Sequence, residues 1–276
     1  MSAESGAWGA ALRRTVTRAA DAALELALPG VCSLCRDGLG RQPGPVCRLC
    51  WSRVRHLSHP QCARCGHPSA YNAEEGDPCR WCPALPPFVR AVRSVAWMSR
   101  GSVASAAVHA LKYDGWQAIA GGMAAEMARL RWPDDVRNER AWLVPVPLAT
   151  WRQRERGFNQ ADAIARALAP YWETPVLPAL CRTRMPASQT RLTPGERVVN
   201  VTRAFTVASA GAPHVQGAHC VLVDDVVTTA ATLVACAAAL VDGGARIVSC
   251  VTFGRAPAIG DRLTSLEPQH GSSGWH

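Results

Sequence analysis

A chain of 276 residues, 48% apolar and 18% charged, can bury a sizeable core and has the balance of a globular protein rather than a disordered one. No apolar run approaches the roughly 18–20 residues that a membrane span needs, so no membrane insertion is expected. The formal charge of +9 rests on 29 arginines and one lysine, Lys112, a bias in keeping with a GC-rich coding composition; it is compatible with an anionic partner and names none.

In chain order, residues 1–29 read as a helical lead-in. Arg13, Arg14 and Arg18 interrupt their apolar stretch, which does not fit a signal peptide, so a cytoplasmic location is expected. Residues 30–87 are dominated by cysteine. Eight of the 12 cysteines form four Cys-x-x-Cys pairs, Cys32/Cys35, Cys47/Cys50, Cys62/Cys65 and Cys79/Cys82, and the second two repeat the first two at offsets of 30 and 32 residues. Each unit has two knuckles joined by a Gly/Pro-rich linker. In a reducing compartment this spacing indicates two structural Zn²⁺ ions, each held by four thiolates; disulfides would need an oxidising compartment. Pairing within each unit and a cross-brace between units use the same knuckles. With few other apolar residues here, metal is expected to supply most of the folding energy of the segment.

Between Arg36 and Arg100 stand ten arginines against four acids, interleaved with Trp51, Tyr71, Trp81, Phe88 and Trp97. Basic charge among aromatic faces suits single-stranded nucleic acid, with Arg48, Arg53 and Arg55 as contact candidates, although some of the rings must pack the small domain.

After "PALPPF" the composition changes, and residues 88–255 read as alternating strands and helices. Strands are expected at "AVRSVAWM", "AWLVPVPL", "HCVLVDD" and "RIVSCVTFG". Helices are expected at "SVASAAVHALKY", "QAIAGGMAAEMARLR", "NQADAIARALAP" and "ATLVACAAALVDGG". This alternation indicates an α/β domain with a mainly parallel sheet and helices on both faces. Residues 256–276 read as a loose tail. No GxxxxGK[ST] sequence occurs, which excludes a P-loop ATPase.

The most informative stretch is "HCVLVDDVVTTAAT". An apolar strand ends in Asp224 and Asp225 and leads through a turn into a helix, which places the turn at the carboxyl edge of the sheet, where such folds bind ligands. Backbone N–H groups and the hydroxyls of Thr228, Thr229 and Thr232 suit a phosphate. Two carboxylates beside it must face something else, such as sugar hydroxyls or Mg²⁺, and a phosphorylated ribose satisfies both halves. This segment resembles the ribose-phosphate signature of type I phosphoribosyltransferases, which implies 5-phosphoribosyl-1-pyrophosphate with Mg²⁺ as ligand and Asp224, Asp225, Thr228, Thr229, Ala230, Ala231 and Thr232 as its contacts. Ala230 stands where the resemblance leads one to expect glycine.

Four further blocks, "HALKYDG", "LVPVPLATWRQRERGFNQA", "RTRMPASQTRLTPGERVVNVTRAF" and the cysteine-rich segment, extend the resemblance over roughly residues 28–254, to the ComF family of competence proteins. That resemblance implies a double zinc ribbon fused to a phosphoribosyltransferase-like fold and a role in handling internalised single-stranded DNA. It names no reaction. Arg154, Arg156 and the flexible Gly157 lie on a loop suited to a pyrophosphate, and Asn159 and Gln160 can cap the helix that follows. Lys112 joins the anion-binding candidates, as a compact ammonium in a chain that otherwise uses arginine; for one residue, chance fits as well. Arg184, Gln189, Arg191 and Arg197 lie on a long polar loop that the resemblance makes a mobile hood. His109 reads as a helix-surface or half-buried residue rather than a ligand. Three functions follow: a DNA-uptake accessory protein binding single-stranded DNA and a phosphoribosyl pyrophosphate or nucleotide ligand, a metabolic phosphoribosyltransferase, or a zinc-ribbon module docking a helicase or uptake protein.

Overall fold

The computed structural model describes residues 30–69, 79, 81–183 and 204–257. The hood candidates Arg184, Gln189, Arg191 and Arg197 lie outside them, as do Tyr71, the lead-in and most of the tail.

Four parallel strands form the sheet in the order β1 (Val89–Trp97), β6 (Ile247–Arg255), β5 (His219–Val227), β2 (Arg140–Pro145). Alternation along the strands feeds two cores. Val95, Leu143, Val221, Val223, Val251 and Phe253 face one side, and Val92, Val144, Cys220, Leu222, Val248 and Cys250 face the other. Over the first face lie α2 (Val103–Tyr113), α3 (Ile119–Ala128) and α6 (Gln160–Trp172). Over the second lie α8 (Ala231–Asp242) and a hairpin of β3 (Leu180–Arg182) and β4 (Phe205–Val207). Short helices α1 (Arg48–Ser52), α4 (Asp134–Glu139), α5 (Thr150–Arg156) and α7 (Ala212–Val215), with a 3-10 turn at Cys82–Ala84, complete the described elements.

Local chemistry sets the helix starts. Ser102 caps α2 by accepting the N–H of Ser105, and the Asn159 side chain caps α6 by accepting that of Ala161 at 3.1 Å. The "RERGFNQ" segment, read from sequence as a loop, instead closes a helix: Arg154 and Arg156 form the last turn of α5, and Gly157, at φ +78°, is its left-handed C-terminal cap.

The cysteine-rich segment does not stand apart. Leu39, Val46, Val54, Cys32 and Cys50 belong to the first core, and Cys65 and Leu85 to the second. The Leu57 N–H bonds to the Val95 carbonyl at 2.8 Å, and the Val92 N–H to the Arg64 carbonyl at 2.8 Å. Trp51 stands edge-on to Phe253 and lies so close to α3 that a methyl group on Gly122 would overlap its indole. Metal is therefore not the segment's only support. Apolar burial against the α/β sheet contributes as well, through residues too scattered in sequence to show a pattern.

Candidate phosphoribosyl site and zinc centres

β5 carries both carboxylates to the carboxyl edge of the sheet, and they leave it on different terms. Asp225 is 6% exposed, and its carboxylate takes the Lys112 ammonium of α2 at 2.8 Å. The structure thus places Lys112 on Asp225 rather than open to an incoming anion. Asp224 accepts the Asp225 N–H through Oδ1 at 2.8 Å. Its residue surface is partly exposed, but burial of the carboxyl, reinforced by the Asp225 charge, holds its pKa well above the usual carboxylate range. The sequence places both acids at a solvent-reachable loop start; the structure corrects this, because β5 continues two residues further, to Val227.

Beyond β5, Thr228, Thr229, Ala231 and Thr232 are exposed. Helix α8 begins without a side-chain cap from its N-cap residue, Ala230. The Ala231 N–H reaches the Thr229 hydroxyl at a long 3.5 Å, and the first turn otherwise presents N–H groups and the positive end of the helix dipole, the requirements of a phosphate site. Ala230 adopts φ +61°, ψ 0°, in the left-handed region. This accounts for the glycine that the resemblance leads one to expect, since a Cβ there opposes the fold. α5 follows β2, the neighbour of β5, so Arg154 and Arg156 lie along the same edge of the sheet. Arg154 is exposed, and the Arg156 guanidinium lies 5.0 Å from the centre of the Tyr113 ring at the end of α2.

The eight knuckle cysteines gather into two sets of four, Cys32, Cys35, Cys47, Cys50 and Cys62, Cys65, Cys79, Cys82. Pairing is thus within each unit. Sulfur pairs are 3.7–3.8 Å apart in the first set and 3.5 Å apart in the second. A zinc tetrahedron with bonds of about 2.3 Å has edges of about 3.8 Å, so both sets fit Zn²⁺ closed to water. Burial opposes ionisation of Cys32, but the N–H groups of Cys35, Cys47 and Leu34 outweigh it and hold this thiol down at about 6, ready to ligate.

Three arginines brace the second centre. Arg255 donates to the Cys65 carbonyl at 2.6 Å, Arg64 to the Leu85 and Pro86 carbonyls at 2.8 and 2.6 Å, and Arg93 to the Ala63 carbonyl at 2.8 Å. Arg93 is only 7% exposed; burial lowers its pKa, and the thiolates of Cys62 and Cys65 oppose that shift. A tetrathiolate zinc centre carries two negative charges, so these guanidinium groups balance it. Sequence analysis missed this role, because nothing local ties Arg93 or Arg255 to the knuckles.

The remaining candidates, Arg48, Arg53 and Arg55, are exposed on and after α1. Of the rings expected beside them, those among the described residues are partly buried and make packing contacts. Trp51 is wedged against α3, Phe88 packs on the second core, and Trp97 meets His67 edge-on at 5.6 Å.

Comparison with known proteins agrees with this architecture. Residues 23–83 match the double zinc ribbon domain family, and residues 156–263 match the phosphoribosyl transferase domain family. The DNA utilization protein YhgH of Salmonella typhimurium is 33% identical over 81% of this chain and 96% of its own length, and that of Escherichia coli K12 is 32% identical over the same shares. Competence protein F of Haemophilus influenzae is 35% identical over 33% of this chain and 40% of its own length. With YhgH relatives of this identity covered over nearly their whole length, and with paired four-cysteine centres leading into a parallel sheet whose strand β5 carries the Asp224–Thr232 segment, the chain belongs to the ComF family.

Proposed function

We propose that this protein is a DNA-utilisation accessory factor of the natural-transformation type, binding a phosphoribosyl pyrophosphate or nucleotide ligand at the β5–α8 turn and single-stranded DNA through exposed ribbon arginines. The first half rests on one observation: a helix start rimmed by exposed threonines, whose N-cap residue offers no side-chain cap, at the end of the strand that carries Asp225 and its Lys112 partner. In this reading the turn holds the phosphate, and Asp224, the more exposed of the two acids, faces the ribose hydroxyls or Mg²⁺ while Asp225 is held by Lys112. The DNA half is supported by relatives named for DNA utilization and competence. It is also supported by the exposure of Arg48, Arg53 and Arg55.

The test is calorimetric titration of the zinc-loaded full chain with phosphoribosyl pyrophosphate and Mg²⁺. Thr228→Val with Thr229→Val, both exposed, is expected to weaken binding at least about tenfold, as loss of two charge-assisted hydrogen bonds requires. Equal affinity would remove the turn from the site. For DNA, Arg48→Gln, Arg53→Gln and Arg55→Gln together are expected to lower affinity and flatten its salt dependence. Turnover with a base, releasing pyrophosphate without any DNA binding, would instead establish the metabolic transferase reading.

A further inference from the structure

Few large apolar side chains among the described residues are exposed, and three of them stand on α2, the turn that follows it and α5, two helices that meet at their ends. Tyr113 is 64% exposed, Trp116 45% and Trp151 62%. Tyr113 ends α2 and Trp116 follows in the next turn, whose N–H bonds back to the Ala110 carbonyl. Trp151 lies in the first turn of α5, and the contact of Arg156 with the Tyr113 ring ties the end of α5 to the end of α2. A second guanidinium, that of Arg152, lies 5.0 Å from the centre of the Trp151 ring. Lys112, beside Tyr113, links this surface through Asp225 to the β5–α8 turn.

Burial of these rings against this chain is incomplete, and solvent exposure of indole and phenol faces is unfavourable without an occupant. The occupant must be flat and apolar on its faces and anionic at its edges, because the rings are interleaved with arginines and Arg152 and Arg154 have no carboxylate partner among the described residues. Stacked bases on a phosphate backbone have that chemistry; a duplex hides its base faces and does not.

We propose that Tyr113, Trp116 and Trp151, with Arg152 and Arg156, form a base-stacking platform for single-stranded nucleic acid beside the phosphoribosyl edge, separate from the ribbon arginines. The proposal rests on the DNA-binding half of the function above and locates the bases on rings more exposed than the partly buried Trp51, Trp81, Phe88 and Trp97 of the ribbon side.

The experiment uses the zinc-loaded full chain and a labelled oligothymidylate, measured by anisotropy and by quenching of tryptophan fluorescence across a salt series. Trp116→Ala, Trp151→Ala and Tyr113→Ala are each expected to weaken binding roughly fivefold or more without changing the salt slope, since stacking releases no counterions. Trp151→Phe is expected to keep most of the affinity. Arg152→Gln is expected to lower both affinity and slope. Binding that is lost with the ribbon arginines but indifferent to all three rings would overturn the platform and leave the DNA reading standing. No binding of oligothymidylate by the unaltered chain would overturn both. Concentration-dependent self-association abolished by the same ring substitutions would show that a second copy covers this surface, and would also overturn the proposal.

Discussion

Ala230 sits at φ +61°, in the left-handed region, at the start of α8. For an L-residue that conformation costs about 1–2 kcal/mol, which glycine escapes. Glycine also widens the unfolded ensemble, a cost of about 0.4–1 kcal/mol. Ala230→Gly is therefore expected to stabilise the fold by a net amount on the order of 0.5–1 kcal/mol. At about 2–4 °C per kcal/mol for a chain of this size, the melting temperature should rise by about 1–4 °C. The measurement is scanning calorimetry with urea titration as a check, on zinc-loaded protein at one pH. Ala231→Gly is the internal control, because its residue begins the helix proper and glycine there costs up to about 1 kcal/mol. Opposite signs at adjacent alanines would establish the geometry of the turn. Destabilisation by both would refute the reasoning, since it would mean that residue 230 is not held left-handed. Phosphate affinity in Ala230→Gly is expected to be equal or higher, the methyl group being the only part of the turn removed.

Metal analysis of the reduced protein is expected to give two zinc ions per chain, and Arg93→Gln should speed loss of one of them to a chelator by removing a balancing charge. Because the ribbons share both cores with the sheet, chelation should lower the melting temperature of the whole protein in one transition; two independent transitions would contradict the shared packing. Gly122→Ala should cost about 1–3 kcal/mol by driving a methyl group into Trp51, and Trp51→Leu should recover much of that loss in a double-mutant cycle. Asp224 is raised in the folded state, so the fold binds more protons than the unfolded chain between the ordinary carboxylate pKa and the folded one, and stability falls as pH rises through that window. Asp224→Asn should therefore gain stability over the unaltered protein as pH rises; parallel pH profiles would contradict the burial. Asp225→Asn strands the Lys112 ammonium and is expected to lose about 1–3 kcal/mol, read by urea titration.

Much of this protein follows from short-range order in its sequence. A Cys-x-x-Cys knuckle places two thiolates by local geometry, and its fourfold repetition indicates two metal centres whatever the rest of the chain does. A strand, two acids and a threonine turn before a helix likewise form one contiguous unit, so the phosphate edge is legible without long-range information. Tertiary structure decided what depends on contacts distant in sequence. It paired each unit's knuckles with one another, set β1 against β6 at the far end of the chain, and brought Lys112 to Asp225 across α2 and β5. It also settled the sign of φ at Ala230, where alanine by itself favours a negative value and only the folded turn holds it positive. The ribbon aromatics show the difference most clearly. A ring adds the same apolar area to a sequence whether it stacks a base or fills a core, and only the packed neighbours assign Trp51 to Gly122 and leave Tyr113, Trp116 and Trp151 facing solvent.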